Sequence, residues 1–272
     1  MSLYSLAGPT TTQVVQAYAE LGMVGLNEDL DAHNFMYVGD MPIFGGGFLG
    51  SFVYHAKAPA NPQDIPPVFA NITSIPGSLQ TTTDNANTSQ RLREIEEKYG
   101  QRKGWHAITI RLTEDTADLL RDVVLAEFQA HVATLRAAAA GLGIEDAALV
   151  PGMSWHVITK TTLRAMQRNG GNVLGLSVED GPYIHMNTIH TWSRPELDGP
   201  VEAGMANLVA RINEGAAARG LAYRYKYMNY ANKAQKVYEG YGAENHERLR
   251  QVAAQYDPNG VLKALWKGYF EL

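Results

Sequence analysis

The chain has no cysteine in its 272 residues. That absence excludes disulfides, a thiolate nucleophile, Cys-ligated zinc or iron–sulfur clusters, and a flavin tethered through sulfur. A membrane-length stretch of about 18 uninterrupted apolar residues is also missing. The first twenty residues, MSLYSLAGPTTTQVVQAYAE, have neither the basic start nor the apolar core of a secretory signal. There is no basic excess: 23 Lys and Arg against 28 Asp and Glu give a formal net charge of −5, which is not the footprint of a nucleic-acid binder. A soluble, cytoplasmic protein with no membrane and no nucleic-acid partner is expected. What is present is a 45% hydrophobic fraction, ample for a packed core. With no linker in sight, residues 1–272 are expected to form a single domain.

Strand and helix signals alternate along the chain. Residues 33–39 and 47–56 are rich in aromatic and β-branched residues, and MPIFGGG between them is turn chemistry, so the pair predicts a hairpin. Residues 58–78 hold five of the twelve prolines and predict an irregular surface connection. A helix over 88–99, with a Thr or Ser cap, stops at Gly100. A strand over 105–112 precedes a long helix over 114–140, capped by Thr113, in which Leu119, Leu120, Val123, Val124, Phe128 and Val132 recur at helical spacing. Further strands are expected at 153–160, 173–177, 182–192 and 221–230, and helices at 199–219 and 243–256. Strand pairs separated by single long helices predict an α+β fold, an antiparallel sheet with helices packed on one face in the manner of doubled ferredoxin-like units.

Several motifs carry potential chemistry. Gly45 to Gly50 satisfies G-x-G-x-x-G, but Ser51 to Tyr54 continue as strand, so the fingerprint lacks the helix that would meet a pyrophosphate and reads as a turn. Asn71-Ile72-Thr73 and Asn87-Thr88-Ser89 match glycosylation acceptors without a secretory signal to use them. His156, His185 and His190 lie in apolar strands, each either a core histidine bonded to backbone or an acid or base facing a pocket. Strand alternation sets Tyr183, His185 and Asn187 on one face and Met186, His190 and Trp192 on the other. No carboxylate stands at ligand spacing among these histidines, so no metal site is expected. The run Tyr223 to Tyr230 would place Tyr223, Tyr225, Tyr227 and Asn229 on one strand face, as pocket lining or as packing. The candidates for proton transfer are therefore His185, His156, Tyr183 and Tyr227; those for substrate contact are Asn187, Tyr225, Asn229 and Trp105.

The C-terminal residues resemble a known family. Tyr227-Met228-Asn229-Tyr230, Gly240 to Asn245, Arg248-Leu249, Tyr256 to Val261 and Gly268-Tyr269-Phe270 are similar to the closing segment of fungal FAD-linked oxidases of the berberine-bridge-enzyme type. Gly170 to Leu176, the strand ending Trp192-Ser193, Asn61-Pro62 with Phe69, and Thr73 to Pro76 are similar to that family's substrate domain. The resemblance implies the substrate-domain fold of vanillyl-alcohol-oxidase-type flavoproteins, with about 221–272 as the berberine-bridge-like segment. It also implies that Tyr227, Asn229 and Gly240 to Asn245 approach a flavin held by an N-terminal domain, to which nothing here corresponds. The place where the family commonly carries a carboxylate or tyrosine base reads Gly171-Asn172-Val173-Leu174.

Two kinds of function follow as expectations. The first is a cofactor-independent cyclase, isomerase or lyase of secondary metabolism that acts on a small apolar organic substrate by orientation and His/Tyr proton transfer. The alternative is the substrate-binding part of a split oxidase, with FAD supplied by a partner chain; a non-catalytic ligand-binding protein is the third. In each case the sheet face that met the flavin domain needs a cover. A homodimer partner, a separate flavin-binding chain, or the first thirty residues with the proline-rich loop could supply it.

Overall fold

Eight strands form one sheet in the order β4-β1-β3-β2-β6-β7-β5-β8, every neighbouring pair antiparallel. They are β1 (Ser2–Ser5), β2 (Ala32–Met41), β3 (Gly46–His55), β4 (Gln80–Thr81), β5 (Arg102–Arg111), β6 (Leu149–Ile158), β7 (Tyr183–Trp192) and β8 (Ala222–Tyr223). The computed structural model describes residues 1–61, 63–94, 99–145, 148–266, 270 and 272. Pro62, the expected helix beyond residue 94 up to 98, and Gly268-Tyr269 of the family-like signature lie outside the described residues.

Counted within its own half, β1 to β4 run in the spatial order 4-1-3-2, and β5 to β8 repeat that order in reverse. This is the doubled ferredoxin-like arrangement expected from the sequence, joined where β2 pairs with β6. The hairpin β2–β3 turns at Gly45 and Gly46, whose φ values of 77° and 118° confirm that the glycine run is turn chemistry.

Strand alternation decides what each face meets. Met36, Val38, Leu49, Ile108, Ile110, Met153, Trp155, Ile184 and Met186 point to one side, where they join a single buried core with the helices. The main helices are α1 (Thr11–Glu20), α2 (Ala126–Gly141), α3 (Asp198–Ala218) and α4 (Ala243–Tyr256). Leu119, Leu120, Val124 and Phe128, picked out by their helical spacing, are all buried there.

Several expectations need correction. The long helix starts at Thr116 rather than 114, and Thr113 is no cap: its own N–H donates to Thr116 Oγ1 at 2.8 Å. The helix Thr88–Glu94 is capped by Asn87, whose side chain accepts from Gln90 N while Gln90 Oε1 accepts from Asn87 N. No strand forms at 173–177; Val173, Leu174 and Leu176 pack instead against the tyrosine cluster of the C-terminal segment. The strand expected over 221–230 stops at Tyr223. The first thirty residues do not fold over the open side of the sheet. They supply β1, between β4 and β3, and α1 on the helix side, where Tyr18 packs on Trp155 at 6.0 Å between ring centroids. The proline-rich loop also goes to the helix side, burying Phe69 and Ile72 in the same core.

Candidate functional site

The opposite face of the sheet carries the odd-numbered positions of β5 and β7 and the even-numbered positions of β6. Register puts Phe52, Phe35, His156 and His185 side by side on four adjacent strands, β3, β2, β6 and β7. Cross-strand partners on one face stand close enough for rings to touch. Phe35 lies 4.6 Å from Phe52 and 5.3 Å from His156, with planes within 4° and 21°; His156 lies 6.3 Å from His185 at 22°. Tyr230 stacks on His185 at 6.0 Å and on Trp105 at 5.0 Å. One lateral row of rings thus crosses the sheet, apolar at its β3 end and imidazole at its β7 end.

The two ends differ in cover. Tyr54 is 40% exposed, and Phe35 and Phe52 are half-buried. His185 is buried because Tyr227 and Tyr230 lie against it, Tyr227 at 5.1 Å edge-on. Beyond Tyr223 the outer edge of β5 has no strand partner, and the Gln235 amide takes that role: Oε1 accepts from Ala107 N at 2.8 Å and Nε2 donates to Ala107 O at 2.8 Å. Gln235 Oε1 also accepts from Asn232 N, which ties the loop to itself. This clamp sets the height of Tyr227 and Tyr230 above the row.

Burial shapes the electrostatics. Removal from water pushes His185 down to about 3, helped by the charge His156 would carry. The Ile108 backbone opposes the shift only weakly and lies outside hydrogen-bond geometry, leaving both ring nitrogens of His185 without a partner. Burial, with His33 nearby, lowers His156 to about 4. Both rings are therefore neutral at pH 7. Beside them Ser154 Oγ donates to Asn187 Oδ1 at 2.7 Å and lies 3.2 Å from His156 Nε2. Asn187 Nδ2 and Thr109 Oγ1 are buried on the same face with no partner. Asn229 Nδ2 donates to Tyr227 Oη at 2.8 Å, so the phenolic hydrogen is left to donate elsewhere.

Of the eight candidates read from the sequence, the fold brings together His156, His185, Tyr227, Asn187, Asn229 and Trp105. It does not bring Tyr183 or Tyr225. Tyr183 is buried, its hydroxyl donating to Ser177 O at 3.3 Å and its ring on Tyr223. Tyr225 is buried and stacks on Tyr241 in the C-terminal cluster, against which Tyr227 also packs, and does not reach the ring row, because the strand alternation that would have aligned it ends at Tyr223. Ser154, Tyr230, Phe35 and Phe52 were not singled out. The last two sit in the predicted hairpin, but that β2 lies next to β6 is a long-range fact. Among the described residues no group of three or more His, Asp or Glu side chains is arranged to hold a metal, and no helix is long and apolar enough to cross a membrane. A cavity of about 290 Å³ lies at the β5–β8 edge and one of about 530 Å³ within the C-terminal segment.

An eight-stranded antiparallel sheet with helices on one side recurs in solved structures of oxidases. Its architecture is shared with 6-hydroxy-D-nicotine oxidase from Arthrobacter nicotinovorans at TM-score 0.59 and 12% identity, over 95% of this chain and 51% of that one. Residues 226–264 match the family described as berberine and berberine like. The chain is homologous to fungal FAD-dependent monooxygenases: it is 29% identical over 278 residues to FUP4 of Fusarium proliferatum, covering 98% of this chain and 50% of that protein. It is 36% identical over 124 residues to tpcD of Cochliobolus heterostrophus, covering 46% of this chain and 24% of that protein. The chain thus spans about half the length of its full-chain relative. Those two relatives are named for FAD dependence, and neither name is that of a cofactor-independent cyclase.

Proposed function

We propose that these residues form the substrate side of a FAD-dependent oxidase or monooxygenase of fungal secondary metabolism, and that the open face of the sheet meets a flavin-bearing unit. The observation that carries this reading is the row Phe52, Phe35, His156, His185, Tyr230 and Trp105, with unpartnered polar atoms of His185, Asn187 and Thr109 beside it. Flat rings and uncommitted donors suit a planar, conjugated group such as an isoalloxazine or an aromatic substrate. FAD, when bound, would supply the two-electron acceptor.

The chain's own residues would bind, orient and hold protons. Phe35 and Phe52 would seat the apolar part of the substrate. His156 and His185, neutral at pH 7, would accept hydrogen bonds from substrate hydroxyls. Tyr227, its oxygen held by Asn229, would donate to a carbonyl or to a developing oxyanion. Trp105 and Tyr230 would exclude water from the β5 end.

The test is complementation. Co-expression of this chain with the portion of FUP4 that it does not cover should give a co-purifying yellow complex that consumes oxygen when an aromatic alcohol or phenol is added. His185→Ala and Tyr227→Phe should then lower kcat at least tenfold with flavin content unchanged. A chain that stays colourless and separate, yet turns over a substrate alone, would defeat the proposal.

A further inference from the structure

Ser154 has one hydroxyl hydrogen and two neighbours that could use it. They are Asn187, its cross-strand partner, and His156, two residues along the same strand and on the same face. The hydrogen goes to Asn187 Oδ1, the shorter contact at 2.7 Å. A hydroxyl that has given its hydrogen away can only accept, so His156 Nε2, 3.2 Å from Ser154 Oγ, must carry a hydrogen and donate it. A neutral imidazole with its hydrogen on Nε2 has a bare lone pair on Nδ1. That atom has no partner among the described residues and is not one of the polar atoms sealed from solvent. Phe35 on one flank and His185 on the other hold the ring against rotation.

We infer that the relay from His156 through Ser154 to Asn187 locks His156 in its Nε2–H tautomer and makes Nδ1 the acceptor for a substrate hydroxyl on the open face. Ser154 is then a positioning residue and His156 the group that touches substrate. The substrate is then one that presents a hydrogen-bond donor, such as the hydroxyl of an alcohol or phenol, to this atom. This deepens the proposed function and rests on it for the word substrate, but the tautomer is a property of this chain alone.

Imidazole nitrogen NMR of the chain at pH 7 reads the tautomer directly, with no flavin present. His156 should show a protonated Nε2 and a bare Nδ1. Ser154→Ala should lose this single-tautomer pattern and give a mixture, while Ser154→Thr should keep it. Asn187→Leu should invert it, because Ser154 then turns its hydrogen to Nε2; the backbone amide spectrum checks that each variant folds. Benzyl alcohol added in excess should shift the Nδ1 resonance and toluene should not. A hydrogen on Nδ1 in the unaltered chain would overturn the inference, since it would mean the Asn187 amide is turned and Ser154 donates to His156. An unchanged pattern in Ser154→Ala, or equal shifts from benzyl alcohol and toluene, would also overturn it. Failure here with successful flavin complementation removes only this relay; failure of complementation with the tautomer intact removes the oxidase reading.

Discussion

The two faces of β7 treat the same residue type in opposite ways. His190 points to the helices and meets His131 of α2, Nε2 to Nε2 at 2.7 Å, sealed from water. The helix packing makes room for the pair: a Cβ at Gly204 of α3 would fall 2.8 Å from His131 Cε1. His185, five residues earlier and on the other face, has two uncommitted nitrogens under a pair of tyrosines. Orphaned atoms alone do not separate the faces, because His190 Nδ1 and His106 Nδ1 are unpaired on the helix side as well. The difference is access. On the helix side the neighbours are fully buried, whereas the row that contains His185 runs out to half-buried Phe35 and Phe52. A sealed face is built for stability and an open one for binding.

The largest expected contrast is in packing. Trp155→Ala empties a fully buried site on the helix face and should cost about 3–5 kcal/mol, whereas half-buried Phe52→Ala should cost about 1–2 kcal/mol. Urea midpoints measure both. Equal losses would mean the row is packed core and the comparison is wrong.

Acid should strain both faces. Burial holds His131 and His156 at about 4 and His185 at about 3, below the ordinary value near 6.5 that the unfolded chain keeps. Between pH 6.5 and 4 the unfolded chain therefore binds protons that the native chain refuses. Stability should fall as pH falls through this window, by up to about 3 kcal/mol for a histidine such as His131, whose loss is complete near pH 4 while that of His185 continues to about pH 3. His131→Gln should flatten the slope by one group while keeping a donor for His190, read from denaturant curves at pH 7 and 4.5.

A smaller effect is expected at the clamp. Gln235→Ala removes the amide that mimics a strand partner for Ala107, at a cost of about 1–2 kcal/mol. Hydrogen exchange should quicken in residues 224–241, and Trp105 fluorescence should change as Tyr230 leaves it, with little movement of the global midpoint. Smallest of all, Tyr183→Phe should cost about 1 kcal/mol through its bond to Ser177 O and leave turnover in a complemented enzyme intact. A large loss of kcat there would restore Tyr183 to the site.

Much of this was legible in the chain. Period-two alternation is local, so it placed His185 and Asn187 together on β7 and set them apart from His190 without any knowledge of neighbours. The helical run through Phe128 and the stop at Gly220 were equally local. The C-terminal stretch misled, because Tyr223, Tyr225 and Tyr227 alternate like a strand while the chain leaves the sheet after Tyr223. Nothing nearby in sequence announces that departure. Beyond Tyr223 the edge of β5 is filled instead by Gln235, 128 positions from its partner Ala107.

The sequence by itself determined which residues could form strands and helices, which faces they would share, and which family the closing segment resembles, since periodicity and motif are properties of neighbours along the chain. Only the tertiary structure decided that Phe35 and Phe52 extend the histidine row and that Ser154 bridges His156 to Asn187. It alone also put the first thirty residues behind the sheet rather than over it. Those outcomes depend on which strand pairs with which. Strand order is settled by the packing free energy of the whole sheet and its helices, which no short stretch of residues contains.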